Sequence, residues 1–394
     1  MAKEASSISA VNGTAGVCAA VHNGRAHPAC IHGVVLAGVH AWGDCVLERA
    51  ASRPLVPIAN RPLIWYILRW LRQGDIGEAS ICANSDTSVL QHCLGNGSGL
   101  DIDLDYYEDV MPRGPAGCAR DAVDGGQADA YVVVDGTIVP WIDLAAMLAE
   151  HERSGAALTV AAAPERGGEG EPDAALEPVG IYVFSPEAIE QVPATGYQDI
   201  KEALIPRLYQ RGQRIVPFVV RGSAAPRVVN AASYLAVSKW AVRQIAEADE
   251  DLDGYVRQGE ALVHRSAGLH ASVQVIGPVM IGPRSTVAEG SMLIGPTTIG
   301  ADCSLGRATV VSRSVLWSGC DVGTGAILDH AILTDDSDAQ PGVVVRNTVV
   351  VPDGSRTDPL RNSSRPTGLV QRLASLWKSP GSAGRNRGTI GWNP

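Results

Sequence analysis

Residues 269–317 read LHASVQVIGPVMIGPRSTVAEGSMLIGPTTIGADCSLGRATVVSRSVLW, and an apolar side chain recurs at every sixth position: Leu269, Val275, Ile281, Val287, Leu293, Ile299, Leu305, Val311 and Trp317. Such a hexad is the signature of a solenoid made of short strands and tight turns. The positions four further on are small or β-branched, namely Val273, Val279, Ser285, Ser291, Thr297, Cys303, Thr309 and Val315, as close packing at the corners of a coil requires. Periodicity predicts the solenoid and leaves its hand open.

Toward the N-terminus the pattern changes. From Ile31 the short apolar run IHGVVLAG ends in glycine, PLIWYILRWLRQGDI follows with helical spacing, and EASICAN supplies another strand; this is the beginning of a βαβ unit. ADAYVVVDGTIV at 128–139 predicts a buried strand that enters a loop at Asp135-Gly136, and IDLAAMLAEHERSG and AALTVAAAP give the next helix and strand. Alternation of this kind implies a mostly parallel, three-layer α/β sheet that binds ligands at the carboxyl ends of its strands. Gly38, Gly114 and Asp135 fall at such ends.

With 394 residues, 45% of them hydrophobic, and a mean hydropathy of +0.05, the chain can bury a large core in two domains. No apolar run approaches the roughly 18 residues of a membrane span, and the N-terminus lacks a compact apolar signal segment. A formal net charge of −10 argues against a nucleic-acid partner, which would need a basic surface. The cysteines at 18, 30, 45, 82, 93, 118, 303 and 320 include no CxxC pair, as expected of reduced thiols in a cytoplasmic protein.

Residues 36–64, LAGVHAWGDCVLERAASRPLVPIANRPLI, align without a gap to the opening signature of the sugar-1-phosphate nucleotidyltransferases, the NDP-sugar pyrophosphorylases, and the chain resembles that family from about residue 32 to 350. Leu36, Ala37, Gly38, Leu47, Pro54, Leu55, Pro57, Asn60, Pro62, Leu63 and Ile64 fit the scaffold side of the motif. The chemical side departs: Val39 and Ala41 stand where the family has glycines, Trp42 for threonine, Gly43 for arginine, Ser52 for proline and Arg53 for lysine. A loop that cradles phosphates needs glycines, because its N–H groups must approach the ligand with no Cβ in the way. Arg53 alone keeps its charge, with a planar fork in place of an ammonium.

Arg113-Gly114-Pro115-Ala116-Gly117 resembles the family's GTAG segment, which lines the nucleotide and sugar pocket. GIYVFSPEAIEQV at 180–192 and DIKEALIPRLYQRGQRIVPFVVRG at 199–222 also resemble family segments. By the resemblance two aspartates should hold a catalytic Mg²⁺, yet Thr137 and Arg227 occupy their positions, and the hairpin carrying a sugar-phosphate lysine is shortened between Ala163 and Gly180. Magnesium takes carboxylate ligands, so no metal and no cofactor is expected; Mg²⁺ enters only if the protein is active, with Arg53 and Asp135 as the remaining catalytic candidates. Asp135, two residues before Thr137 and on the same strand face, is the one carboxylate that could take the metal over. Nucleotide or sugar-nucleotide binding is expected at Leu36, Ala37, Gly38, Arg53, Gly114, Ala116, Gly117, Asp135 and Gly136.

The expected organisation is therefore a flexible extension over 1–31, a Rossmann-like nucleotidyltransferase α/β domain over 32–240, a helical linker over 241–263, a hexapeptide β-helix over 264–351 and a basic tail over 352–394. The resemblance implies that the β-helix is left-handed. In the tail, Leu369, Val370, Leu373, Leu376 and Trp377 form one helical stripe, suited to its own protein, a partner or a membrane surface. The leading expectation is a catalytically degenerate family member that serves as a regulatory, sugar-nucleotide-sensing or scaffolding subunit, in a homo-oligomer or beside an active paralogue through the β-helix. Two alternatives stand: an active NTP:sugar-1-phosphate nucleotidyltransferase, and a hexapeptide acyltransferase using His264, His270 or His330 as base.

Overall fold

The computed structural model describes residues 30–38, 45–83, 87–164, 175–220, 225–248, 252 and 254–352, with the backbone of 356–357. Outside these lie the N-terminal extension, the signature positions Val39, Ala41, Trp42 and Gly43, most of the shortened hairpin and the tail helix with Leu369 and Trp377.

A seven-stranded sheet carries the first domain: β1 (Ile31–Leu36), β4 (Glu78–Ala83), β5 (Asp103–Glu108), β6 (Ala130–Asp135), β7 (Leu158–Pro164), β8 (Leu176–Phe184) and β9 (Ile215–Val219). β2 (Pro57–Ile58) and β3 (Arg61–Pro62) form a separate hairpin. Strand order in the large sheet is β5-β4-β1-β6-β8-β7-β9. β5, β4, β1 and β6 run parallel, whereas β8 is antiparallel to both β6 and β7.

Both sheet faces are covered, which accounts for the near-continuous apolar strands. On one face Val35, Ile81, Val132, Val134 and Val183 pack with α1 (Leu63–Gln73), α4 (Leu144–Ser154) and α7 (Ala231–Ala248). On the other, Val34, Leu36, Val133, Val160 and Phe184 meet α3 (Gly114–Ala122), α5 (Pro186–Glu190) and α6 (Ile205–Gln210); α2 (Ser88–Leu94) lies between β4 and β5 in the chain. Alternation along each strand sends successive side chains to opposite cores, giving the expected three layers.

The second domain begins with an antiparallel pair, β10 (Tyr255–Gln258) and β11 (Ala261–His264). Short strands then return in three parallel sheets, the arrangement of a parallel β-helix. Leu269, Val275, Ile281, Val287, Leu293, Ile299, Leu305 and Val311 stack in one interior. Val287 pairs with the residue 18 further on, Leu305, but Leu305 pairs with Val322 and Ile299 with Leu316, each 17 further on. One residue is lost from every coil after Ser312.

That contraction corrects the hexad at its end. Leu316 joins the interior stack, and Ser314, not Val315, takes the small buried place where it donates to the Ser312 carbonyl (2.7 Å). Trp317 turns outward and is buried against the first domain. Its indole N–H donates to Tyr234 Oη (2.8 Å) on α7, and that hydroxyl donates to the Pro57 carbonyl (2.6 Å).

A second tie comes from the β2–β3 turn. Its central residues Ala59 and Asn60 have φ of 44° and 62°, as a two-residue hairpin turn of primed type requires, and asparagine tolerates that region well. The Asn60 amide then donates to the Ile299 carbonyl (2.9 Å) and the Tyr255 hydroxyl (3.3 Å). The two domains thus share one hydrophobic core and a chain of buried hydrogen bonds.

Tyr234→Phe should destabilise the protein by about 1–3 kcal/mol, because it leaves the buried indole N–H without an acceptor, and Trp317→Ala by about 3–5 kcal/mol. The double variant should lose less than the sum, since both changes remove one shared contact. Chemical denaturation followed by tryptophan fluorescence and by circular dichroism checks the values and whether both domains unfold in one transition.

Candidate functional site

The carboxyl end of the central strands gathers most of the residues singled out from the sequence. Leu36 on β1 lies in register with Asp135 on β6, and the Gly136 N–H donates back to the Leu36 carbonyl (3.0 Å). A Cβ on Gly136 would stand 2.7 Å from that carbonyl oxygen and 2.9 Å from Ala37 Cα, so glycine is what lets the two chain segments touch. Gly38 follows immediately, at a bend.

Asp135 and Thr137 share a tight local turn: the Thr137 N–H (2.9 Å) and hydroxyl (2.7 Å) both donate to Asp135 Oδ1. Arg227 arrives from far along the chain through an antiparallel bridge to Ile138. Its Nη1 donates to Asp135 Oδ2 and to the Thr137 hydroxyl (2.9 Å), and its Nη2 donates to the Val179 carbonyl (3.0 Å). The two positions that the family resemblance assigns to metal aspartates are therefore adjacent in space, bridged by Asp135.

Gly180 makes room for this arrangement. It has φ of +96°, and a Cβ there would lie 2.5 Å from Arg227 Nη2 and 3.1 Å from Asp135 Cβ. Lys201 completes the cluster from the turn after Asp199, with Nζ 3.4 Å from the Pro178 carbonyl, one residue from the carbonyl that Arg227 holds. Burial pushes the Lys201 ammonium below its ordinary range, and Arg227 pushes it the same way against Asp135 and Asp199. Burial likewise lowers Arg53, which is 6% exposed, with Asp135 opposing and Arg227 adding to the shift.

For Asp135, burial favours the neutral acid, but the Arg227 guanidinium and the Thr137 donors outweigh it and hold the carboxyl below its ordinary value. Tyr182, wholly buried beneath the pair, is pushed up by the same burial.

A divalent magnesium demands several hard oxygen ligands in octahedral geometry. Here both oxygens of Asp135 already accept hydrogen bonds, a guanidinium stands beside them, and among the described residues no group of three or more His, Cys, Asp or Glu could hold a metal. The donor set does not fit Mg²⁺.

The 113–117 segment is bound up with protein. Gly114 has φ of +74°, and a Cβ there would meet the Gln198 carbonyl at 2.6 Å; Ala116 N–H donates to that same carbonyl (3.0 Å). Gly117 lies under the Arg113 side chain, which is anchored on Asp121 (2.7 Å) and on the carbonyls of Ala194 (2.6 Å) and Pro193 (2.6 Å). These glycines are required by packing of the loop 193–198 onto α3.

Sequence reasoning did not pair Asp135 with Arg227 and assigned nothing to Lys201, Gly180 or Tyr182. The available signal was the scarcity of lysine, present only at 3, 201, 239 and 378. The solenoid histidines do not converge: His264 and His270 contact Ser266 and Ser272 (2.8 Å each), and His330 contacts Asp329 (3.0 Å). A cavity of about 330 Å³ lined by Trp65, Trp141, Tyr255 and Met280 lies at the domain seam and shares no lining residue with the Asp135 cluster. No helix among the described residues is long and apolar enough to cross a membrane.

The nucleotidyl transferase family profile matches residues 45–170, and the GMPPB C-terminal domain profile matches residues 258–359. Mannose-1-phosphate guanylyltransferase of Mycobacterium tuberculosis is 24% identical, over 67% of this chain and 79% of that protein. UTP–glucose-1-phosphate uridylyltransferase of Synechocystis is 23% identical, over 69% and 79%. Glucose-1-phosphate thymidylyltransferase of Streptomyces griseus is 25% identical, over 68% and 82%. Three different bases appear in these names at nearly equal similarity, so the shared segments single out none.

Because the folded pKa of Asp135 is depressed, the ion pair stabilises the protein fully above the ordinary carboxylate value and is lost as pH falls through the lowered one. Thermal unfolding from pH 7 downward should show this acid-sensitive component in the wild type and not in Asp135→Asn. Arg227→Ala should cost up to about 3 kcal/mol at neutral pH, since it leaves a largely buried carboxylate without its cation.

Proposed function

This chain belongs to the sugar-1-phosphate nucleotidyltransferase family, and from that premise we propose that it has kept the family's fold and ligand cleft without its turnover, serving as a regulatory, sugar-nucleotide-sensing or scaffolding subunit. The observation that carries this reading is the closed Asp135–Thr137–Arg227 network. In-line attack of a sugar phosphate on a nucleoside triphosphate builds charge that a divalent metal and mobile cations must stabilise. Arg227 instead is committed to three protein acceptors, and Asp135 accepts three hydrogen bonds within that network.

The scaffold side points the same way. Pro57 and Asn60 hold the seam between the domains, and Leu63 is buried in the core, so these surviving motif residues are ones that folding needs. As a subunit, the protein would act through its solenoid, in a homo-oligomer or beside an active paralogue, and would report on sugar-nucleotide supply from the cleft.

Purified protein incubated with Mg²⁺ and a matrix of nucleoside triphosphates and sugar 1-phosphates should release no pyrophosphate above a protein-free control. Turnover that disappears in Asp135→Ala would overturn the reading.

A further inference from the structure

We infer that the cavity at the domain seam is a binding site for a small aromatic carboxylate, a planar molecule of one or two rings with a single negative charge. The cavity shares no lining residue with the Asp135 cluster, so the inference stands apart from the reading of the cleft.

The crowding of aromatic side chains is the first observation. The chain has 8 tryptophans, 9 tyrosines and 2 phenylalanines in 394 residues, yet Trp65, Tyr66, Trp70, Trp141 and Tyr255 all line this one cavity. Three of them come from α1, Trp141 from the segment after β6 and Tyr255 from β10, and Met280 joins them from the solenoid.

The protein itself holds these walls in place. The Trp70 indole N–H donates to the Ile142 carbonyl (2.8 Å) and the Tyr66 hydroxyl to the Ile58 carbonyl (2.9 Å). Trp141 packs edge-to-face on Trp240 with ring centroids 5.4 Å apart, and it is nonetheless 46% exposed. A fixed, half-exposed indole on a cavity wall leaves apolar surface that a flat ring can cover.

Size narrows the ligand. A volume of about 330 Å³ is at the small end of the roughly 300–1,000 Å³ of small-molecule sites. One or two rings with an acid group suit it better than a whole sugar nucleotide.

Charge supplies the acid. No aspartate or glutamate is among the described residues that line the cavity. The Arg61 guanidinium lies 5.4 Å over the Trp65 ring, and its side chain makes no hydrogen bond or ion pair with a described residue. Arg69 lies over the same ring (5.2 Å) and has a partner of its own, so the anion is assigned to Arg61 alone. Near it, the Tyr255 hydroxyl accepts from the Asn60 amide (3.3 Å) and keeps its own proton to donate. The Arg61 charge reaches that phenol, opposing the upward push of its burial. One guanidinium matches one negative charge, which favours a carboxylate over a phosphate monoester with nearly two.

The test is isothermal titration of the full chain with indole-3-acetate and phenylacetate. Indole-3-acetamide and phenylacetamide keep each shape without the charge, cyclohexylacetate keeps the charge without a flat ring, and phenyl phosphate changes the acid group. At least one of the two carboxylates should bind, and its amide should bind about tenfold or more weakly, the loss expected for a hydrogen bond to a charged group. Arg61→Gln should lower the carboxylate to the level of the amide while leaving the affinity for the amide within about twofold, which shows that the cavity is still formed. Trp141→Ala should weaken acid and amide alike.

Absence of binding by both carboxylates at millimolar concentration, an amide that binds as tightly as its acid, or an Arg61→Gln variant that binds the acid like the wild type would each overturn the inference. So would tighter binding of cyclohexylacetate or phenyl phosphate than of either carboxylate.

Discussion

A guanidinium fixed against a carboxylate at the end of the central strand governs what this cleft can be. Arg227 joins the segment after β6, the start of β8 and the approach to α7, which are far apart in sequence, and each contact limits the others. Gly180 follows from it, because a Cβ there would meet the Arg227 guanidinium and the Asp135 side chain, while Gly136 lets the backbone of Leu36 and Ala37 approach the neighbouring turn. A partly desolvated ion pair is expensive to form and more expensive to break by halves. The pair is thus a structural commitment as well as an electrostatic one.

The survival of half a motif has a related cause. Pro57 accepts a hydrogen bond from Tyr234, and Asn60 both adopts the left-handed turn and reaches Ile299 in the solenoid. Replacing Asn60 would strain a hairpin and leave a seam acceptor unmet. What looks like a damaged nucleotide signature is, in its intact portion, the connector that seats the solenoid on the α/β domain.

The α/β layers and the solenoid were legible because burial on two faces and a six-residue repeat write themselves into local sequence, from Ile31 onward and from Leu269 to Val311. Legibility ended at Ser312, where a single missing residue per coil moved the stack from Trp317 to Leu316, and no local property of Trp317 announces that it turns outward. In the cleft, Asp135, Thr137 and Arg227 could each be named from family positions, but their contact spans 92 residues for Asp135 and Arg227 and depends on the bridge between Ile138 and Arg227. Gly114 and Gly117 were read from the sequence as lining a nucleotide pocket; only the fold reveals that Gln198 crowds the one and the Arg113 side chain the other.

The shortening of the coil after Ser312 makes the solenoid directional in a way that its sequence repeat hides. A turn lifted from the later part and inserted among the earlier ones would lay a smaller ring beneath a larger one, with a corner residue missing on a single side. The rungs are therefore not interchangeable parts. Growth of this domain by duplication of a unit would be tolerated within either stretch and resisted across their boundary, which fixes one place along the stack as a landmark from which every outward-facing residue, Trp317 first among them, takes its bearing.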